Sequence, residues 1–167
     1  MTEPTVHKDP DALTMTITTD LDVPVERAWQ LWADPRQLER WWGPPTYPAT
    51  VVDHDLVAGG KVSYFMTGPE GDRAHGWWDV VAAEPPSRLE LRDGFAHDDG
   101  RPDDARPVTV MTVSLSARDG GSRMDVVSRF PSLEAMEELV AMGMEEGMVA
   151  ALGQIAAILA DDAATTS

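Results

Sequence analysis

The stretch 132–160 constrains the fold of this chain more than any other. Its apolar residues recur at steps of three and four, which places them on one stripe of a helix. They are Leu133, Met136, Val140, Met144, Met148, Ala151, Ile155 and Leu159. With a rise of about 1.5 Å per residue, such a helix is roughly 40 Å long, whereas a typical strand reaches only about 20 Å. One long helix therefore has to lie across several strands.

The rest of the chain supplies those strands. Residues 13–22 alternate apolar side chains with threonines, which predicts a half-buried strand. Pro24 and then Asp34-Pro35 open two short helices. Six more strands are predicted at 47–55, 61–67, 74–83, 88–92, 108–117 and 122–130. Short turns rich in glycine and proline separate most of them, so neighbouring strands are expected to be antiparallel.

The remaining segments are expected to be irregular. Residues 1–11 carry two prolines, and residues 161–167 are small and polar. Residues 93–107 contain five aspartates and are typical of an acidic loop. A single domain over 12–160 is therefore predicted. The start of the chain lacks the pattern of a signal peptide, and the apolar run 147–160 is too short to span a bilayer, so a cytoplasmic protein is expected.

These elements predict an α+β fold in which a curved antiparallel sheet wraps around a long C-terminal helix. The two short helices would close one end of the sheet. Because one helix cannot fill the groove of a wide sheet, a cavity is expected between them.

The composition excludes several partners and chemistries. The 29 acidic and 13 basic residues give a formal net charge of −16. A surface this acidic repels phosphate backbones and anionic membranes, so neither nucleic acid nor a membrane is an expected partner. The chain has no cysteine, which excludes disulfides, thiolate catalysis and cysteine-based zinc sites.

Strand alternation and the helical stripe nominate the side chains that face the predicted cavity. In 61–67 the inward set is either Val62, Tyr64 and Met66, or Ser63 and Phe65. The candidate ligand-binding residues are Trp42, Tyr64, Met66, Trp78, Met111, Val113, Met136, Val140, Met144 and Met148. Methionine is flexible and polarizable, so a wall rich in it suits varied apolar guests. Any one of these residues taken alone is more typical of a core, whereas the set as a whole favours a ligand cavity.

Catalytic and metal-binding signals are sparse. The four histidines are His7, His54, His75 and His97, and none forms a ligand pair such as HxxxH. His97 lies among aspartates, but this segment lacks the EF-hand pattern. No metal or cofactor is therefore expected. His75, next to Trp77-Trp78, is the one weak catalytic candidate, as a proton shuttle or a hydrogen-bonding partner for an oxygenated ligand.

Four stretches, in this order, resemble the activator of Hsp90 ATPase homologue 1-like family. They are Trp41-Trp42-Gly43-Pro44 after the two helices, DLVAGG at 55–60, EPPSRL at 84–89 and GMEEGM at 143–148. The resemblance covers about residues 13–160. It implies the helix-grip fold of the START-like (SRPBCC) superfamily and a deep hydrophobic cavity. Where the family usually has Trp and Leu in the last helix, this chain has Met144 and Met148, which should enlarge or soften the cavity.

Physical reasons can be given for two of these motifs. Trp42 would anchor in the core, Gly43 would adopt a left-handed backbone conformation, and Pro44 would prevent the helix from continuing. Gly59-Gly60 would form a tight turn between strands.

The resemblance does not imply a single activity, because the superfamily includes lipid carriers, hormone receptors, polyketide cyclases, antibiotic-sequestering proteins and a cochaperone domain. The leading prediction is a non-catalytic domain that binds a lipid, polyketide or aromatic metabolite. One alternative is an interaction domain that activates an Hsp90-type chaperone. The other is a cyclase-like enzyme with His75 as its acid–base group. An edge strand could also pair two copies into a homodimer.

Overall fold

The computed structural model describes residues 4–166, with side chains described as far as Asp162. Met1–Glu3 and Ser167, which belong to the segments predicted to be irregular, lie outside the described residues. The strands are β1 (Thr5–Asp9), β2 (Thr14–Leu21), β3 (Ala49–His54), β4 (Lys61–Thr67), β5 (Arg73–Glu84), β6 (Arg88–Ala96), β7 (Thr109–Arg118) and β8 (Gly121–Arg129). The helices are α1 (Val25–Ala33), α2 (Pro35–Trp41), α3 (Leu133–Ala141), α4 (Met144–Gly153) and α5 (Ile155–Thr166).

The eight strands form one antiparallel sheet in the order β1-β2-β8-β7-β6-β5-β4-β3. The α+β class and the helix-grip arrangement predicted from the sequence are confirmed. Alternation sets the inner face: Met15, Ile17 and Leu21 of β2 are buried, and so are Met111 and Val113 of β7.

An additional edge strand, β1, lies within the segment that was predicted to be irregular. Thr5 to Asp9 pair with Thr18 to Thr14 of β2. Only two of its five side chains, Val6 and Asp9, are even partly buried. A strand this exposed lacks the alternation of apolar and polar residues by which a half-buried strand is recognised.

Strand β6 continues to Ala96 instead of ending at residue 92, so the predicted acidic loop begins later than expected. Asp93 pairs with Trp78 of β5 and Thr109 of β7. Gly94 lies under the Trp77 indole, and a Cβ at Gly94 would be 2.4 Å from Cζ2 of that ring. The glycine therefore permits a close packing contact within the strand and does not form a turn.

The C-terminal stretch is helical as predicted, but it is not one straight helix. Helix α3 and the helical stretch that starts at Met144 are bent by 61° relative to each other. Gly143, with φ of +91°, occupies the break in a left-handed conformation that favours glycine. Ser132 caps α3 as expected, because its side chain accepts a hydrogen bond from the Ala135 N–H at 3.0 Å.

The helix also extends beyond residue 160, into the segment predicted to fray, and ends at Thr166. Asp162 forms ion pairs with Arg27 at 2.5 Å and with Arg40 at 3.2 Å. These contacts fasten α5 to α1 and α2. Among the described residues no single helix is long and apolar enough to cross a membrane. Helix α3 and the helical stretch from Met144 to Asp162 would be long and apolar enough only if they were taken together, and they are bent relative to each other.

The segment after α2 positions Trp42, and its glycine has a different role from the one predicted. Gly43 does not have a positive φ. A Cβ at Gly43 would instead be 2.1 Å from the Tyr47 carbonyl oxygen, so the close approach of two backbone segments requires glycine here. Gln154, between α4 and α5, donates to the Gly43 carbonyl at 2.7 Å and holds this segment against the C-terminal helices.

Candidate ligand-binding cavity

A cavity of about 290 Å³ lies between the inner face of the sheet and the break between α3 and α4. Strands β4, β6 and β7 form one wall, the segment after α2 forms a second, and the helices form the third. The lining residues are Trp42, Pro44, Tyr47, Tyr64, Met66, Asp93, Gly94, Phe95, Thr109, Leu139, Met142, Gly143, Met144, Gly147 and Met148.

One end of the cavity is closed by packed tryptophans. The rings of Trp42 and Trp78 meet edge to face at a centroid distance of 4.8 Å, and those of Trp32 and Trp41 do so at 4.7 Å. Tyr64 completes the cluster, 5.8 Å from Trp42. Such edge-to-face pairs are favourable. The groove that the sequence predicted to be hollow is therefore packed solid at this end, and the cavity lies beside α3 and α4.

Thioethers and glycines form the helical wall. Met142, Met144 and Met148 line it, and Met66 faces them from β4. Gly147 adds no side chain, and a Cβ at this position would meet no atom within 4 Å. A side chain at residue 147 would therefore have room at this wall of the cavity.

A single carboxylate lies in this otherwise apolar wall. The Tyr64 hydroxyl donates a hydrogen bond to Asp93 Oδ1 at 3.0 Å. Burial raises the pKa of Asp93 from 3.8 to about 7, although the hydrogen bond from Tyr64 and the nearby N–H dipole of the Trp78 indole oppose the shift. Burial, followed by the Asp93 charge, raises the pKa of Tyr64 well above its ordinary value. Asp93 therefore changes protonation state near neutral pH.

Two buried indole N–H groups adjoin this pair. Nε1 of Trp42 and Nε1 of Trp78 have no hydrogen-bond partner among the described residues. Both still influence their neighbours, since Trp42 lowers the pKa of Tyr64 and Trp78 lowers that of Asp93. The aromatic end of the cavity thus carries donor capacity that the protein does not fully use.

The mouth of the cavity is marked by Met142, whose side chain is 54% exposed. The Arg106 guanidinium lies 3.9 Å from the centroid of the Phe95 ring, and its Nη2 is 3.6 Å from the Met142 sulfur. Arg106 therefore contacts two lining residues at the rim and does not itself line the cavity.

The structure brings together half of the residues nominated from the sequence. Five of the ten line the cavity: Trp42, Tyr64, Met66, Met144 and Met148. Of the two faces of β4 that the sequence left open, the inward one carries Val62, Tyr64 and Met66. The other five belong to the core: Trp78, Met111, Val113 and Met136 are buried, and Val140 packs against them half-buried. Ligand contact remains a prediction for all ten.

His75 does not reach the cavity. The inward positions of β5 belong to Gly76 and Trp78, so alternation turns His75 to the outer face. Its ring lies 5.5 Å from that of Phe65, also on the outer face. The geometry therefore removes the reason for considering His75 as an acid–base group in the cavity.

Asp93 is the functional candidate that the sequence reasoning missed. The alternation of Leu89 and Leu91 continues through Asp93 to Phe95, and following it would have placed both on the inner face. The aspartates and glycines after Arg92 favoured a loop instead. Among residues 4–166, no three His, Asp or Glu side chains form a group that could hold a metal ion.

An antiparallel sheet that holds a C-terminal helix, with an apolar cavity between them, defines a helix-grip protein of the START-like type. The chain belongs to the activator of Hsp90 ATPase homologue 1-like family, whose sequence model matches residues 22–160. A search of curated proteins found no match.

Solved structures similar to this chain come from several bacteria. Protein Ms6760 from Mycobacterium smegmatis is 46% identical, with a TM-score of 0.87 over 93% of this chain and 96% of that one. A protein from Arthrobacter aurescens is 48% identical, with a TM-score of 0.90 over 94% of this chain and 91% of that one. A Rhodobacter sphaeroides protein, at 23% identity and a TM-score of 0.82 over 95% of this chain and 99% of that one, shares the fold.

Proposed function

We propose that this protein binds a small apolar ligand, such as a lipid fragment, polyketide or aromatic metabolite, in the cavity beside α3 and α4. The observation that carries the proposal is a space of about 290 Å³ walled by methionines and aromatic rings. A cavity of about 150 Å³ can hold benzene, so this one suits a ligand of roughly bicyclic size.

The expected affinity is moderate. Burial of about 250 Å² of apolar ligand surface contributes roughly 6 kcal/mol, and desolvation of the apolar cavity wall adds to it. Lost translational and rotational freedom offsets much of this gain. Dissociation constants between about 1 mM and about 1 µM are therefore expected.

The test is a titration with 2-naphthol, followed by its fluorescence and by native mass spectrometry, on wild type and two glycine variants. Gly147→Leu should weaken binding at least about tenfold, because the new side chain enters the cavity. Gly153→Leu is the matched control, since Gly153 is exposed near the end of the same helix and also has free space. Absence of 2-naphthol binding to the wild type, or equal binding by both variants, would contradict the proposal.

A second candidate is an interaction with an Hsp90-type chaperone. The description of the family suggests it, and the charge of −16 would complement a basic surface on a partner. Stimulation of the ATPase of a purified chaperone by this protein would support the interaction. A flat response at high protein concentration would count against it. A homodimer and a cytoplasmic location likewise remain predictions.

A further inference from the structure

We propose that the ligand of this cavity is an organic cation, an apolar body that carries a protonated amine, and that its N–H groups bind the Asp93 carboxylate. The inference rests on the proposed function, because it specifies the chemistry of the ligand that the cavity takes.

Asp93 can accept more hydrogen bonds than it receives. Its carboxylate lines the cavity and accepts one hydrogen bond among the described residues, from the Tyr64 hydroxyl at 3.0 Å. An ionised carboxylate can accept about four. A ligand seated in the cavity displaces water from this group, so a complementary ligand has to supply donors.

The charge of Asp93 indicates that the ligand group that donates to it is a cation. Asp93 is the only Asp, Glu, Lys, Arg or His among the residues that line the cavity. A protonated amine supplies both N–H donors and the missing opposite charge, whereas a neutral hydroxyl supplies only a donor. Four aromatic rings, those of Trp42, Tyr47, Tyr64 and Phe95, also border the cavity, and the face of an aromatic ring attracts a cation.

The surroundings favour a cation as well. The net charge of −16 attracts cations to the protein surface. The cation nearest to the lining described above is Arg106, whose guanidinium stacks on Phe95, 3.9 Å from the ring centroid, and which is not itself a lining residue. The two lining tyrosines are neutral donors: Tyr64 bonds Asp93, and Tyr47 donates to Asp72 at 3.0 Å.

The proposal predicts a specific dependence on pH. Because burial places the pKa of Asp93 near 7, only about a tenth of the carboxylate is ionised one unit below that value. An ammonium group binds the ionised form, so its affinity should rise about tenfold between about pH 6 and about pH 8. A neutral donor should show little change over this range, and a carbonyl acceptor should bind less well as the pH rises.

The experiment compares two probes of nearly equal shape, 1-naphthylmethylamine and 1-naphthylmethanol, by titration calorimetry with wild type and Asp93→Asn at both pH values. Wild type should prefer the amine by at least about tenfold at pH 8, and the preference should shrink at pH 6. Asp93→Asn should lose the preference while it still binds the alcohol. Tyr64→Phe keeps the Asp93 carboxyl but removes a hydrogen bond that lowers its pKa, so it should still prefer the amine, with the pH dependence displaced to higher pH.

The outcomes separate the two proposals. If both probes bind equally well to wild type and to Asp93→Asn, the cation inference is overturned and the cavity remains a binding site. If the alcohol binds more tightly than the amine at pH 8, the inference is also overturned. If neither probe binds the wild type, the proposed function fails and the inference fails with it. The pH comparison uses wild type alone, so it decides the question even if Asp93→Asn does not fold.

Discussion

Asp93 is the residue at which the requirements of stability and of binding oppose each other. Its pKa is raised from 3.8 to about 7 because burial penalises the carboxylate. At a pH between these two pKa values, Asp93 is protonated in the folded chain but ionised in the unfolded chain. The free energy of unfolding therefore decreases as the pH rises from about 4 to about 7, and the loss is complete above that range. Groups with a strongly shifted pKa, which lower the stability of the fold, are often found at functional sites.

Asp93→Asn should reverse this loss. Asparagine keeps an acceptor for the Tyr64 hydroxyl but does not ionise. The variant should exceed wild type in free energy of unfolding by about 2–4 kcal/mol at about pH 8 and by little at about pH 4. Urea denaturation at the two pH values measures the difference. An equal effect at both values would mean that Asp93 is not desolvated in the way described.

The sequence could predict some cavity residues better than others. Tyr64 and Met66 follow from strand alternation, and Met144 and Met148 follow from the helical stripe. Asp93 was not predicted because Asp93-Gly94 has the composition of a turn. The glycine is instead required by the Trp77 indole, which packs against it. A contact between neighbouring strands of this kind cannot be read from either strand alone.

At the scale of the element, the break between α3 and α4 shapes the cavity. Gly143 and Met142 both line the space, and the left-handed conformation of Gly143 lets the chain turn there. The stripe of apolar residues passes through this break without interruption in the sequence. A period of three or four identifies the buried face, but it does not say whether the helix is straight.

Gly143→Ala should destabilise the protein by about 1 kcal/mol or more, because alanine is strained at a φ of +91°. Gly153→Ala is the matched control, in helical conformation and with free space around it. It should stabilise by roughly 0.5–1 kcal/mol through helix propensity. Thermal unfolding of the two variants gives the comparison, and a Gly143→Ala protein as stable as wild type would show that the break does not need glycine.

Gln154 joins two elements that are distant in sequence. Its amide donates to the Gly43 carbonyl at 2.7 Å and to the Trp41 carbonyl at 3.3 Å, at the end of α2. Gln154→Leu should lower the free energy of unfolding by about 1–2 kcal/mol, since these carbonyls would lose their donor. Gln30→Leu, on the exposed face of α1, serves as control. Equal effects of both changes in urea denaturation would argue against a specific role for Gln154.

At the scale of the whole molecule, periodicity was sufficient for the architecture. The alternation of apolar and polar residues predicted seven of the eight strands. The C-terminal helix predicted from the sequence is longer than a typical strand, and this difference in length predicted that the sheet wraps around the helix. The size of the cavity was not accessible in this way. Four tryptophans fill one end of the groove together: Trp32 of α1, Trp41 of α2, Trp42 just after α2 and Trp78 of β5. Only the assembled fold determines how much space four large side chains leave.

The methyl groups of the methionines can report whether the remaining space binds a ligand. Four methionines line the cavity, namely Met66, Met142, Met144 and Met148, whereas Met15, Met111, Met124 and Met136 are buried in the core. Methyl NMR spectra of ¹³C-methionine-labelled protein should be recorded during titration with 1-naphthylmethylamine and 2-naphthol. We expect large, saturable shifts for the cavity methyl groups and small ones for the core set. Shifts of equal size in both sets, or none in the cavity set at millimolar probe, would contradict it.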